Sequence, residues 1–186
     1  THEERYLKLA QYFIDERGKQ PHYYDAEAHK RGDKPENFWA KTYAYNQSHL
    51  PVRERTTAEG HSVRACYMYA GMADLARLSD DADLKQACLA LWDDVVRHKL
   101  YITGALGSTR LNEGFTSAYD LPDETAYAET CASIALVFWA QRMFQLDPNS
   151  RYIDVMEKVL YNGFMSGLSL DGTQFFYSNP LASHPS

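Results

Sequence analysis

"CASIALVFWAQRMF", Cys131 to Phe144, is apolar around almost its whole circumference. A run of that length and pattern reads as a buried helix rather than a strand. A shift of 68 residues, which places Leu78 on Leu146, lays it over an earlier run of the same character, "VRACYMYAGMADLARL" (Val63 to Leu78). Each run is followed by an acidic turn and an amphipathic segment. The first is "DADLKQACLALWDDVVRHKL", with Leu84, Ala87, Leu91 and Val95 on one stripe, and the second is "DPNSRYIDVMEKVLYNGFMSGLSL". Residue identity across the shift is poor, so the echo is architectural. Repeated hairpins with a buried inner helix and an amphipathic outer one predict an all-α chain, part of an α/α toroid or solenoid. The loops after the outer helices would gather at one end of the ring and form a pocket there.

The remaining segments fit around these hairpins. "THEERYLKLAQYFIDERG" reads as an amphipathic helix. Thr1 and Glu4 have capping-box spacing, Tyr6, Leu9, Ala10 and Phe13 form the stripe, and Gly18 ends it. Periodicity then vanishes from Lys19 to Gly60, a stretch too long for a simple connector. Its Tyr, Trp, Phe and His content argues against disorder and for an ordered loop wall. A Gly-rich loop, "YITGALGSTRLNEGFTSAYDLPDE", leads into the second buried helix, and "GTQFFYSNPL" reads as a short β-hairpin near the C-terminus.

Composition sets the outer limits. The 186 residues are 45% hydrophobic and 24% charged with a net charge of −6, which suits one globular domain. There is no basic stripe to favour nucleic acid and no apolar run long enough to favour a membrane span. Aromatic residues make up 13%, either as large core side chains or as the lining of a cleft for a flat, partly apolar ligand such as a sugar ring. Cys66, Cys88 and Cys131 form an odd set without a close pair, which fits a reduced, cytoplasmic setting better than a disulfide framework.

Three carboxylates are unusually placed: Glu113 in a glycine-flanked loop, Glu129 at the mouth of the second buried helix, and Glu157 inside a periodic helix. Two carboxyl groups facing each other across a pocket are the usual apparatus for cleaving a glycosidic bond. Singly, each reads as a cap or a solvated residue. Glu129 and Cys131 stand two positions apart, and on a regular helix such residues cannot share a partner. Either they do unrelated jobs, or the chain is not yet helical there and both point at one thing. Two ligands do not make a structural zinc site, which wants four. His61, at the start of the first buried helix, is equally a cap, a packing residue or a ligand contact.

"HLPVRERTTAEGHSVRACYMYAGMADLA", "TGALGSTRLNEGF", "YDLPDETAYAETCASIA" and "YNGFMSGLSLDGTQFFYSNPL", in this order, resemble glycoside hydrolase family 127, the β-L-arabinofuranosidases. The resemblance covers essentially the whole chain. It implies residues 1–186 as a single partial catalytic domain of an (α/α)6 barrel, with the remaining barrel and the β-sandwich domains lying elsewhere. It also implies retaining hydrolysis of terminal β-L-arabinofuranosides, with zinc as cofactor and a zinc-bound cysteine as nucleophile. By motif, Glu113 of "LNEGF" matches the acid/base, and Glu129 and Cys131 of "ETC" match two of four zinc ligands. His61, Glu157 and Tyr177 match positions lining the sugar pocket. The other two ligands, adjacent cysteines of a downstream Cys-Cys-Pro block, are not in this sequence, and Arg55 stands where the family commonly has Gln.

On this reading the piece alone is inactive, and apolar helix faces shared with missing neighbours would favour homo-oligomers. The rivals are an α/α-barrel sugar isomerase or epimerase working through histidines, and a non-catalytic helical repeat that binds a glycan or a protein. Zinc content of the intact protein would separate them.

Overall fold

The computed structural model describes residues 3–182. It is all-α, built from α1 (Glu4–Glu16), α2 (Tyr23–Lys30), α3 (Ser62–Ser79), α4 (Ala82–Asp94), α5 (Thr130–Leu146) and α6 (Ser150–Lys158). The 68-residue echo holds in three dimensions: it carries Ser62 onto Thr130 and Ala82 onto Ser150, the first residues of the paired helices. The outer helices share a device as well. Asp81 caps α4 by accepting from the Leu84 N–H, and Asn149 caps α6 by accepting from the Arg151 N–H. Both then widen into a π turn, Val95–Lys99 and Val159–Phe164. Even the following turns match, with Gly104 N–H donating to Tyr101 O at 2.8 Å and Gly172 N–H to Ser169 O at 2.9 Å. From α3 to α6 the chain is thus two successive inner-and-outer helical hairpins.

The core lies where the inner helices α3 and α5 pack along each other. Ala65, Cys66, Ala73 and Ala76 of α3 and Ala132, Ala135 and Ala140 of α5 let the two backbones approach. Trp139 fills the seam between Tyr69 and Trp92, each with its ring centroid 5.0 Å away, and Trp92 meets Tyr152 at 4.9 Å. The stripe Leu84, Ala87, Leu91 and Val95 is buried as its spacing predicts. Cys66 and Cys88 are buried too. Burial pushes both thiols up, that of Cys88 to about 12, so they serve as small apolar residues.

The proposed Thr1 cap lies outside the described residues; three other expectations need correction. Helix α1 starts from Glu3 with no side-chain cap. Its Tyr6, Leu9, Ala10 and Phe13 face is exposed, while Leu7 and Ile14, seven residues apart, meet the core. The helix carries apolar side chains on two faces, and periodicity alone does not say which one is covered. The segment 19–60 is an ordered wall, yet it contains α2, whose eight residues carry too weak an apolar stripe to announce a helix. Finally, "GTQFFYSNPL" closes a tight loop by one bridge, Leu168 to Phe175, and then runs past Glu129 with another, Glu129 to Ser178. Each is an isolated bridge, not a rung of a hairpin ladder. No described helix is long and apolar enough to cross a membrane.

Candidate active site

The site forms at the mouths of α3 and α5, and the repeat explains why. His61 and Glu129 are the residues immediately before these helices, at equivalent positions, both with extended backbone (φ −65°, ψ 120° and φ −72°, ψ 144°). The first residue of each helix grips a crossing loop with both its N–H and its hydroxyl. Ser62 donates both to Glu113 O at 3.1 Å. Thr130 donates its N–H to Tyr177 O at 3.0 Å and its hydroxyl to Phe176 O at 2.7 Å. Helix-terminal N–H groups that would otherwise lack partners therefore fix the loops bearing Glu113 and Tyr177.

Glu113 itself has φ +52°, a left-handed conformation that an L-residue holds only when its surroundings enforce it. The enforcement is visible next to it. Gly114 forms a bridge with His61, and Phe115 N–H donates to Gly60 O at 3.0 Å. A Cβ on Gly114 would lie 1.8 Å from Gly60 O, so only glycine fits. Gly114→Ala is expected to cost about 2–3 kcal/mol and to lower the midpoint in urea unfolding.

The Glu113 carboxylate lies 2.8 Å from His61 Nε2, with the Glu113 side chain 41% exposed. Burial depresses the His61 pKa, Glu113 opposes that, and Arg64 adds to it. His61 Nδ1 is buried and has no hydrogen-bond partner among the described residues. The ring is braced by the edge of Tyr45, 5.5 Å away.

Glu129 is the drier carboxylate. The residue is 2% exposed, and its Oε2 has no hydrogen-bond partner among the described residues. Burial, then repulsion from Glu113, push its pKa up to about 6, against a hydrogen bond with the Tyr127 hydroxyl. Cys131 is half-buried in the first turn of α5. Burial first and Glu129 second raise its thiol, while a hydrogen bond with Tyr177 opposes them. Tyr177 in turn titrates high, chiefly because of Glu129. The structure thus brings Glu113, His61, Glu129, Cys131 and Tyr177 to one end of the hairpins.

Two negative groups destabilise each other here and no described cation neutralises Glu129. An orphaned buried carboxylate oxygen beside a thiol fits two donors of a divalent-metal site. No described cluster of three or more His, Cys, Asp or Glu could hold a metal by itself.

One consequence concerns pH. In the metal-free chain Glu129 binds its proton more tightly when folded than when unfolded. Its stabilising contribution is therefore complete below the ordinary carboxylate pKa and is lost as pH rises through about 6. The loss should amount to about 1–2 kcal/mol. Glu129→Gln should flatten that fall between pH 4.5 and 7.5 in denaturant titrations, and an unchanged slope would count against the buried, uncompensated charge.

Glu157 is not brought into this group. Tyr152, Val155 and Val159 point inward from α6 and its continuation, which turns Glu157 outward beside a shallow depression with Asp154, Lys158 and Tyr161. Conversely, Tyr127 was not anticipated. It stands two residues before Glu129, but Ala128 between them has φ +41°, so no regular alternation of the chain announces it. Of Glu129 and Cys131, only Glu129 has extended backbone. Thr130 and Cys131 are already helical.

Comparisons with known proteins agree along the full length. The profile of the β-L-arabinofuranosidase GH127 catalytic domain matches residues 1–186. A non-reducing end β-L-arabinofuranosidase of Bifidobacterium longum subsp. longum is 44% identical over 189 residues, covering 100% of this chain and 28% of that protein. The crystal structure of a GH127 β-L-arabinofuranosidase from Geobacillus stearothermophilus T6 superposes with a TM-score of 0.96 at 56% identity, over 100% of this chain and 29% of that one. A further GH127 β-arabinofuranosidase structure gives 0.84 at 42% identity, over 98% and 26%. The chain therefore spans under a third of the length of these relatives.

Proposed function

The chain belongs to the GH127 family, as part of its β-L-arabinofuranosidase catalytic domain, and from that premise we propose that its parent protein is a retaining glycoside hydrolase releasing terminal β-L-arabinofuranose. Its partner would be an arabinofuranoside-type glycan. The observation that carries the reading is the pairing of two unlike carboxylates at one site. Glu113 is reachable and held by His61, whereas Glu129 is buried beside Cys131.

In this reading Glu113 delivers a proton to the departing glycosidic oxygen and later takes one from the incoming water, the two-step logic of retention. His61 Nε2 holds the Glu113 carboxyl at 2.8 Å and so fixes its position for the proton transfers. Glu129 and Cys131 would hold a zinc ion. When bound, zinc would keep sulfur as thiolate and lower its basicity. The attacking cysteine would come from outside these residues, since Cys66 and Cys88 are sealed in the core. Tyr177 would line the pocket while steadying the Cys131 thiol.

The test is direct. The purified parent should release L-arabinose from β-L-arabinofuranosides with retained anomeric configuration and contain one zinc per chain. No metal and no release would return the field to a histidine-based isomerase or a non-catalytic glycan binder.

A further inference from the structure

Beside the proposed catalytic group lies a cleft of about 610 Å³ that the reaction as described does not use. Tyr45 forms part of its wall, and the edge of the same ring braces His61. Asn112, immediately before Glu113, lines it too. The Asn112 amide nitrogen donates to Phe115 O at 3.2 Å, but its oxygen accepts no hydrogen bond among the described residues. Glu59, Thr57 and Ser117 add an exposed carboxylate and hydroxyls.

Trp39 adjoins the cleft through Tyr45 and itself lines the neighbouring depression with Tyr24, Phe38 and Tyr43. Its ring meets Tyr45 at 4.6 Å, nearly edge-on at 72°, yet the residue is 66% exposed. Its chain neighbour Ala40 lines the cleft. An indole held in place by a buried ring and open to solvent offers a flat apolar surface beside the polar wall. The floor is pre-formed. Asp94 accepts the Ala58 N–H at 2.8 Å, and Lys99 donates to Ala58 O while pairing with Asp94 at 3.1 Å. One apolar face with convergent hydroxyl, amide and carboxylate groups is the chemistry that takes a sugar ring: its C–H face on the indole, its hydroxyls on the polar wall.

We propose that Trp39 and this cleft form the subsite for the sugar to which the departing arabinofuranose is attached, making Trp39 a specificity-determining residue. The proposal rests on the glycosidase reading above. Asn112 adjoins Glu113 in the chain and lines the cleft with Tyr45, which touches both His61 and Trp39, so the cleft opens next to the proposed acid/base.

The experiment uses the full-length parent and two substrates with the same terminal β-L-arabinofuranosyl unit, a disaccharide and the methyl glycoside, which carries no second ring. In Trp39→Ala, kcat/KM on the disaccharide should fall roughly tenfold, mainly through KM, as expected for one lost ring contact. The methyl glycoside should change less than about twofold, and Trp39→Phe should recover most of the loss. An equal loss on both substrates would overturn the subsite, because the ring would then act through Tyr45 and His61. So would no loss on either. If the unaltered parent releases arabinose from neither substrate, the glycosidase reading falls first and the subsite falls with it.

Discussion

Glu113→Gln in the full-length parent should cut turnover of glycosides with sugar leaving groups by between ~10²- and ~10⁴-fold, the range that a positioned acid/base supplies. The substitution keeps the side-chain shape and a hydrogen-bonding group facing His61 Nε2, so the loop should stay in place and KM should change little. What disappears is the proton. An aryl glycoside, whose leaving group departs without protonation, should lose much less in the first step, so the gap between the two substrates measures the acid's share. Equal, small losses on both would remove Glu113 from the role. Its neighbourhood makes the test clean: the Glu113 carbonyl is gripped by Ser62 whatever its side chain carries.

Glu129→Gln and Cys131→Ser should each strip zinc from the parent to well below one ion per chain and lower activity by more than the roughly 10- to 100-fold typical of losing an outer-shell partner. For Glu129 two measurements should move in opposite directions. Removing its charge relieves a buried, repelled carboxylate in the metal-free state, so apo stability near neutral pH should hold or rise while metal affinity collapses. A structural role alone would lower both together. Full zinc occupancy in both variants would refute the assignment of these side chains as ligands. Adding zinc should raise the melting temperature of the unaltered parent and leave the variants unmoved.

Much of the frame was legible beforehand. The all-round apolar pattern of Cys131–Phe144 and its counterpart 68 residues earlier specify two buried helices, because no other arrangement covers such surfaces. The acidic turns, with Asp81 and Asn149 ready to cap, mark where the outer helices begin. Helix α1 was legible as a helix but not in its orientation, since Tyr6 and Leu7 sit on different apolar faces and only packing selects one. The "GTQFFYSNPL" segment has strand-like residues, yet its backbone partners Glu129 instead of folding on itself for long. Such a partner lies about fifty residues away and leaves no mark in local pattern.

The same division runs through the site. The linear chain determined which groups are present, their chemical types, and the family to which they belong. It also determined that His61 and Glu129 occupy equivalent places, because a repeat puts like positions in like surroundings. Only tertiary structure decided that Glu113 meets His61 and that Glu129, not Glu113, is the desolvated carboxylate. It also decided that Glu157 turns away and that Trp39 reaches Tyr45. Proximity between distant segments and exclusion of water are properties of the packed chain, and a carboxylate's acidity follows from them rather than from its neighbours in sequence.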